Sequence, residues 1–187
     1  MRLIVRRLRD ILAYLRREIH AKLDPLGYAR SIGVTLGQDV HFYGMPSNMF
    51  GTEPWLITIG NRVHITSGCA FITHDGGTLI LRKEVPDLEW TAPITIGDDV
   101  YIGVRTLIMP GVKIGNRVIV GAGSVVTRDI PDNSVAVGVP ARVIKSVDAY
   151  LEQMKRKSLK CGHLKGLEKE AILKGIFGVT TKATFLK

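Results

Sequence analysis

Between Ile94 and Pro131 the chain reads ITIGDDVYIGVRTLIMPGVKIGNRVIVGAGSVVTRDIP, and a branched aliphatic residue returns every six positions, at Ile96, Ile102, Ile108, Ile114, Val120 and Val126. Two residues before each stands something small or β-branched: Ile94, Val100, Thr106, Val112, Val118 and Ser124. In extended backbone, alternation sends these two positions inward and the residue between them outward. Gly97, Gly103, Gly115 and Gly121 follow four of the aliphatics, where the expectation is a tight bend in which a side chain would crowd the backbone. A six-residue unit of this kind is a short strand and a corner. No single unit can bury its own apolar face, so the units must stack. Three of them close one triangular coil of eighteen residues, and the run predicts a parallel β-helix.

Outward residues eighteen positions apart share a face of such a prism. Tyr101 then lies under Ile119, Leu107 under Val125, and Lys113 shares the third face with Pro131. Two faces carry apolar residues where a solitary prism would show polar ones, and contiguous exposed apolar area marks an interface. The expectation is a homotrimer about a threefold axis.

A formal net charge of +9 and a pI near 9.8 ask for an anionic partner: nucleic acid, an anionic membrane surface, or a phosphorylated cofactor or substrate. The basic KRKSLK run at Lys155 to Lys160 lacks interleaved aromatics and any recognisable nucleic-acid motif, so no nucleic acid is expected. Two cysteines, Cys69 and Cys161, make no disulfide framework, and Cys69 falls on an inward position two before Phe71. No apolar run approaches the roughly 18 to 20 residues of a transmembrane helix, and the N-terminus lacks the apolar core of a signal peptide. A cytoplasmic protein is expected.

Three regions follow from the pattern: 1–30, 31–145 and 146–187. The first is a basic amphipathic helix, with Ile4, Leu8, Ile11, Leu12, Leu15 and Ile19 at helical spacing and Arg2, Arg6, Arg7, Arg9, Arg16 and Arg17 over the remainder. It either caps the open end of the β-helix, packs on a neighbouring subunit, or makes peripheral contact with an anionic membrane. Asp24, Pro25 and Gly27 should end it. The middle region opens with imperfect repeats in SIGVTLGQDVHF, where Leu36, Val40 and Phe42 read as inward. Pro46, Gly51 and Pro54 break the period over residues 43–56, and it resumes at Ile59. After THDGG it is lost again, so 75–93 should project as a loop or hairpin; long loops in compact repeat folds commonly carry function. From about Val147 the third region reads as helix with a basic surface, and its last dozen residues give no clear pattern.

Histidine can take a proton from a hydroxyl and return it to a leaving group near neutral pH. His20 and His163 lie in the flanking helical regions, and His41 and His64 point outward from strands. His74 differs, because it stands where the coil breaks into the long insertion, beside Asp75 and two glycines.

The hexapeptide run, THDGG before an insertion, and the closing GAGSVVTRDIPDNSVAVGVPARVIK together resemble the hexapeptide-repeat acyltransferases, in particular O-acetyltransferases of the galactoside and maltose type and those that modify bacterial cell-surface polysaccharides. The resemblance spans roughly Ile32 to Lys145. It implies an all-β core, a left-handed parallel β-helix with flanking N- and C-terminal helices and a projecting loop. It further implies transfer of an acetyl group from acetyl-CoA to a sugar hydroxyl, directly and without a metal, with His74 as general base. The developing oxyanion needs hydrogen-bond donors that the sequence does not identify. The resemblance lays the pantetheine arm along a groove between subunits near Val104 and Ala122, where Gly121, Ala122 and Gly123 let a thin chain lie close. It sets the phosphates against Thr127, Arg128, Arg142 and Lys145, arginine being suited to phosphate oxygens. Tyr101 stands where the family often has an aromatic and reads as packing.

For the acceptor, the resemblance points to Asn48, Glu53 and Asp75, with Arg82, Lys83, Glu84, Asp87 and Glu89 of the insertion either selecting it or solvating a hairpin. Three readings remain: the O-acetyltransferase, with an amine acceptor as its variant; a zinc enzyme resembling the γ-class carbonic anhydrases, for which His41, His64 and His74 do not have the ligand spacing; and a non-catalytic scaffold.

Overall fold

The structure, a computed structural model, describes residues 2–179, with side chains described from Arg6 onward. The chain divides into two compact units at Asp148. The larger opens with α1 (Arg2–Leu23) and α2 (Pro25–Ser31). Asp24 both ends the first helix and caps the second: its carboxylate accepts from the Gly27 amide at 2.9 Å, and Pro25 takes the first helical position, where a missing N–H costs nothing. The Asp-Pro-Gly signal, expected only to stop a helix, therefore also starts one. Tyr28 and Ala29 of α2 are buried in the core that continues into the coil.

The coil visits three parallel sheets in rotation. The first pairs β1 (Thr35–Leu36), β3 (Ile57–Ile59), β6 (Ile94–Ile96) and β9 (Lys113–Ile114). The second orders β2 (His41–Tyr43), β4 (His64–Thr66), β7 (Tyr101–Ile102), β10 (Ile119–Val120) and β12 (Ser134–Gly138), and the third β5 (Ala70–Phe71), β8 (Leu107–Ile108) and β11 (Val125–Val126). All twelve inward positions read from the repeat are buried, Ile96, Ile102, Ile108, Ile114, Val120 and Val126 at 2% exposure or less. Outward, Tyr101 pairs with Ile119 and Leu107 with Val125. The irregular segment 43–56 is a distorted turn of the same coil, since Met45, Met49 and Phe50 are buried and the Phe71 amide donates to the Met49 carbonyl at 2.9 Å.

One expectation is corrected. The third outward pair is not Lys113 and Pro131: Ile114 bridges Ile130, and the Lys113 amide donates to the Asp129 carboxylate at 2.8 Å. The corner through Thr127 to Asp129 is two residues shorter than its predecessor, so the phase slips before Pro131.

The repeat glycines stand, as expected, where a side chain would crowd the backbone, and the left-handed residue of each corner is a different one. Positive φ falls two residues later, on Asp39, Arg62, Asp99, Arg105 and Arg117. A Cβ on Gly97 would stand 2.8 Å from the Gly115 carbonyl, and one on Gly103 2.5 Å from the Ala122 amide nitrogen. Glycine is there because the next coil lies against it. The strained residues are held instead by side chains: Arg62 forks onto Asp99 at 2.6 and 2.7 Å, while Asn61, Asp98, Asn116 and Asp132 each accept from a backbone amide one coil away.

The coil ends in an antiparallel hairpin, β12 against β13 (Ala141–Ser146), which the sequence pattern did not reveal. The insertion after Phe71 is pinched at its base, where His74 bridges Thr91 and the Ala92 amide donates to the Thr73 carbonyl at 2.8 Å. Inside it Gly76–Leu81 forms a 3-10 turn capped by Asp75, whose carboxylate accepts from the Gly77 amide. In the smaller unit, α3 (Val147–Lys157), which begins at the boundary, and α4 (Gly166–Ile176) are two helices where one was expected. The end of the tail, 180–187, and the side chains of Arg2 and Ile4 lie outside the described residues.

Candidate active site

His74 stands one residue beyond the inward position held by Thr73, at the mouth of the insertion. Its Nδ1 lies 2.8 Å from Glu53 Oε2. An ionised carboxylate can only accept, so Nδ1 carries the proton and the free lone pair of the imidazole is on Nε2. Glu53 arrives from the distorted coil, held in turn by two hydroxyls: Thr73 donates to Oε2 at 2.6 Å and Thr52 to Oε1 at 2.7 Å. These bonds, with the Thr73 hydroxyl foremost, then Thr52 and His74, hold the Glu53 carboxyl down to about 2 from a usual 4.5. It is an anion throughout the physiological range.

The pair opens on a cleft of about 350 Å³ walled by Thr52, Asp75, Thr78, Leu79, Arg82 and Glu89. Arg82 is fixed by the Leu88 carbonyl at 3.0 Å and by an ion pair with Glu89, whose other oxygen accepts from Thr91 at 2.8 Å. The insertion thus supplies one wall of the cleft, and the coil supplies the base. Such an arrangement can take a proton from a bound hydroxyl at Nε2 and stabilise the imidazolium that results.

Of the residues expected around an acceptor, Glu53 and Asp75 meet His74 at the cleft, whereas Asn48 is exposed and does not line it. Glu53 bonds to His74 itself, and Thr52 and Thr73, which hold it there, were missed. The signal for Thr73 was present, since it is a buried polar residue on an inward position directly before the histidine.

The residues expected around the cofactor fall into two groups. Val104 and Ala122 are exposed on successive coils of one corner, where the Gly123 amide donates to the Val104 carbonyl at 2.7 Å. Arg128 and Arg142 share a small cleft of about 160 Å³ with Asp129, Ile130, Ala141 and Val143. Thr127 is exposed beside Arg128, and Lys145 lies opposite Val135 in the terminal hairpin. The room left by Gly121 is not open to a ligand: a Cβ there would meet Val137 Cγ1 at 2.6 Å, so this chain fills it, and the open glycine is Gly123.

His41 and His64 stack on the second sheet with ring centroids 4.9 Å apart, His41 on Asp39 and His64 on the Tyr43 hydroxyl, away from the insertion that carries His74. Among the described residues no three His, Cys, Asp or Glu side chains are grouped to hold a metal ion.

Comparison with known proteins matches the bacterial transferase hexapeptide model of six repeats to residues 93–128. Protein CapG of Staphylococcus aureus is 53% identical over 121 residues, 65% of this chain and 70% of that protein. Galactoside O-acetyltransferase of Escherichia coli is 41% identical over 102 residues, 54% of this chain and 49% of that enzyme, so the chain spans about half of its length. Among solved structures, a hexapeptide-repeat acetyltransferase of Vibrio cholerae superposes with a TM-score of 0.54 at 26% identity, over 73% of this chain and 89% of that one.

Proposed function

Because this chain belongs to the bacterial hexapeptide-repeat transferases, an acyltransferase family, we propose that it moves the acetyl group of acetyl-CoA to a sugar hydroxyl, that of a cell-surface or exopolysaccharide precursor. The observation that carries this reading is the 2.8 Å bond between His74 and Glu53 at the polar cleft. The likeness to an enzyme named galactoside O-acetyltransferase supports a sugar as the acceptor. A left-handed coil, a homotrimer and a cytoplasmic location, where acetyl-CoA is made, belong to the same reading.

In this mechanism His74 Nε2 takes the proton of the acceptor hydroxyl as its oxygen attacks the thioester carbonyl. The tetrahedral intermediate collapses, the C–S bond breaks, and the imidazolium returns the proton to the departing thiolate. Transfer is direct, with no acyl-enzyme. Glu53 keeps the imidazole in its Nδ1–H form and offsets the positive charge that appears on the ring. Thr52, Asp75, Thr78, Arg82 and Glu89 offer polar groups to the acceptor. On the donor side, Arg128 and Arg142 receive phosphate, with Thr127 and Lys145 beside them, and Val104 and Ala122 border the pantetheine arm.

Release of the CoA thiol tests the reading, measured with a panel of galactosides, glucosides and amino sugars. Release with a hydroxyl acceptor that disappears in His74→Ala is the expected result. A folded protein that neither releases thiol nor gains thermal stability with acetyl-CoA overturns it.

A further inference from the structure

The apolar stripe of α1 is left uncovered by its own chain. At 3.6 residues per turn, Leu8, Ile11, Leu12, Leu15, Ile19 and Leu23 fall within an arc of about 120°. Their exposure runs from 47% at Leu15 to 82% at Leu23. The helix is fastened by a different side. Ala21 is buried, Glu18 accepts from the Ser47 amide at 3.2 Å and from its hydroxyl at 2.5 Å, and the His20 ring meets Tyr28 at 5.4 Å. Ala21 lies about 140° and Glu18 about 80° from the centre of the stripe. Capping of the core is done by α2, through Tyr28 and Ala29, so α1 is left with its apolar side unused.

The charges around the stripe say what should cover it. Arg9 and Arg16 border one edge and Arg7 the other, with Lys22 about 20° inside that edge. Glu18, the acid on that second edge, is engaged by Ser47, and Asp10 lies on the far side. Two copies packed stripe to stripe would bring arginine against arginine, where a helix pair needs opposite charges beside its seam. An anionic bilayer answers both features. Its acyl boundary takes the leucines, while its headgroups take cations whose aliphatic stems reach along the apolar surface.

We propose that α1 docks the protein on the surface of an anionic membrane, lying in the interface with Leu8, Ile11, Leu12, Leu15 and Ile19 inward and the arginines at headgroup level. The helix does not span: no described helix is long and apolar enough to cross a membrane. This goes beyond the acetyl-transfer reading, and its test needs no activity.

The full chain is sedimented with vesicles of phosphatidylcholine alone and of phosphatidylcholine mixed with phosphatidylglycerol, at low and high salt. Wild type should bind the anionic vesicles, ignore the neutral ones, and be released by salt. Ile11→Gln/Leu15→Gln and Arg9→Gln/Arg16→Gln, all at exposed positions, should each weaken binding about tenfold or more, with unfolding midpoints unchanged. Absence of wild-type binding to either vesicle overturns the proposal, as does binding that both variants retain. A change of oligomeric mass in Ile11→Gln/Leu15→Gln without vesicles present also overturns it, because the stripe would then be a contact between subunits.

Discussion

Glu53, in the first break of the repeat, and His74, at the start of the second, stand 21 positions apart and meet at 2.8 Å with the carboxylate held from behind by Thr52 and Thr73. In the proposed mechanism the carboxylate is a positioning group and the imidazole a reacting one, so their removal should differ in degree. His74→Ala should lower kcat by about 100- to 10,000-fold with the affinity for acetyl-CoA unchanged. Glu53→Gln should cost roughly 100-fold. That is less than the ~10,000-fold of a fully buried triad carboxylate, because the Glu53 side chain is 24% exposed and water can partly replace it. Steady-state kinetics on the two variants, with acetyl-CoA binding measured separately, checks the order.

The pH dependence follows from the sign of the Glu53 shift. Its folded value, about 2, lies below its unfolded one, so ionised Glu53 adds stability above roughly pH 4.5 that is lost as pH falls toward 2. The stability difference between wild type and Glu53→Gln, measured by urea unfolding, should therefore shrink across pH 4.5 to 2 and stay level above pH 5. In kcat/KM the substitution should lower the whole profile without removing a limb, since Glu53 does not titrate at any pH used for assay.

The repeat from Ile96 to Val126 made the core legible because burial in a coil depends only on period, and twelve inward positions followed from one frame. What stayed hidden depended on contacts between coils. The repeat indicated that a side chain at Gly97 or Gly103 would crowd backbone, but not that the backbone is that of the next coil. The role of Glu53 was hidden in the same way: a loop glutamate becomes the partner of His74 only when the distorted coil stacks beneath the insertion. The hairpin of Ser134–Gly138 with Ala141–Ser146 escaped notice because it replaces the period with antiparallel pairing.

The repeat glycines separate two kinds of constraint. Gly103→Ala would drive a methyl to within 2.5 Å of the Ala122 amide nitrogen and 2.8 Å of the Gly121 carbonyl carbon and the Val120 carbonyl oxygen. None of these can yield without parting two coils, so a loss of about 1 to 3 kcal/mol is expected, at the upper end of that range. Gly123→Ala meets nothing within 4 Å but must hold φ at +69°, and should lose about 1 kcal/mol. Gly76→Ala, open and without positive φ, should be near neutral. Denaturant unfolding of the three ranks them.

Arg128 and Arg142 sit together at one small cleft, a pairing suited to phosphate oxygens. Acetyl-CoA at 100 times its dissociation constant should stabilise the wild type by about 2.7 kcal/mol. Arg128→Ala/Arg142→Ala should lose most of that shift while His74→Ala keeps it, because in the proposed mechanism the histidine acts on the acceptor's proton and not on the nucleotide. Thermal unfolding with and without acetyl-CoA distinguishes the two. An equal shift in all three proteins would remove the arginines from the donor site.

Ile119 continues the outward line of His41, His64 and Tyr101 on the second sheet, and Val125 that of Ala70 and Leu107 on the third, whereas the first sheet turns Thr35, Thr58, Thr95 and Lys113 outward. Two faces are thus apolar at the same levels of the coil and one is polar. A threefold assembly can bury the first two and leave the third wet, each apolar line meeting the other kind on a neighbour. Ile119→Glu/Val125→Glu would place carboxylates in such a contact, and a buried unpaired charge costs several kcal/mol. Sedimentation velocity should show wild type at three times the chain mass and the variant shifted to one. In a monomeric wild type both glutamates would sit on solvated surface and move nothing, which would sink the trimer.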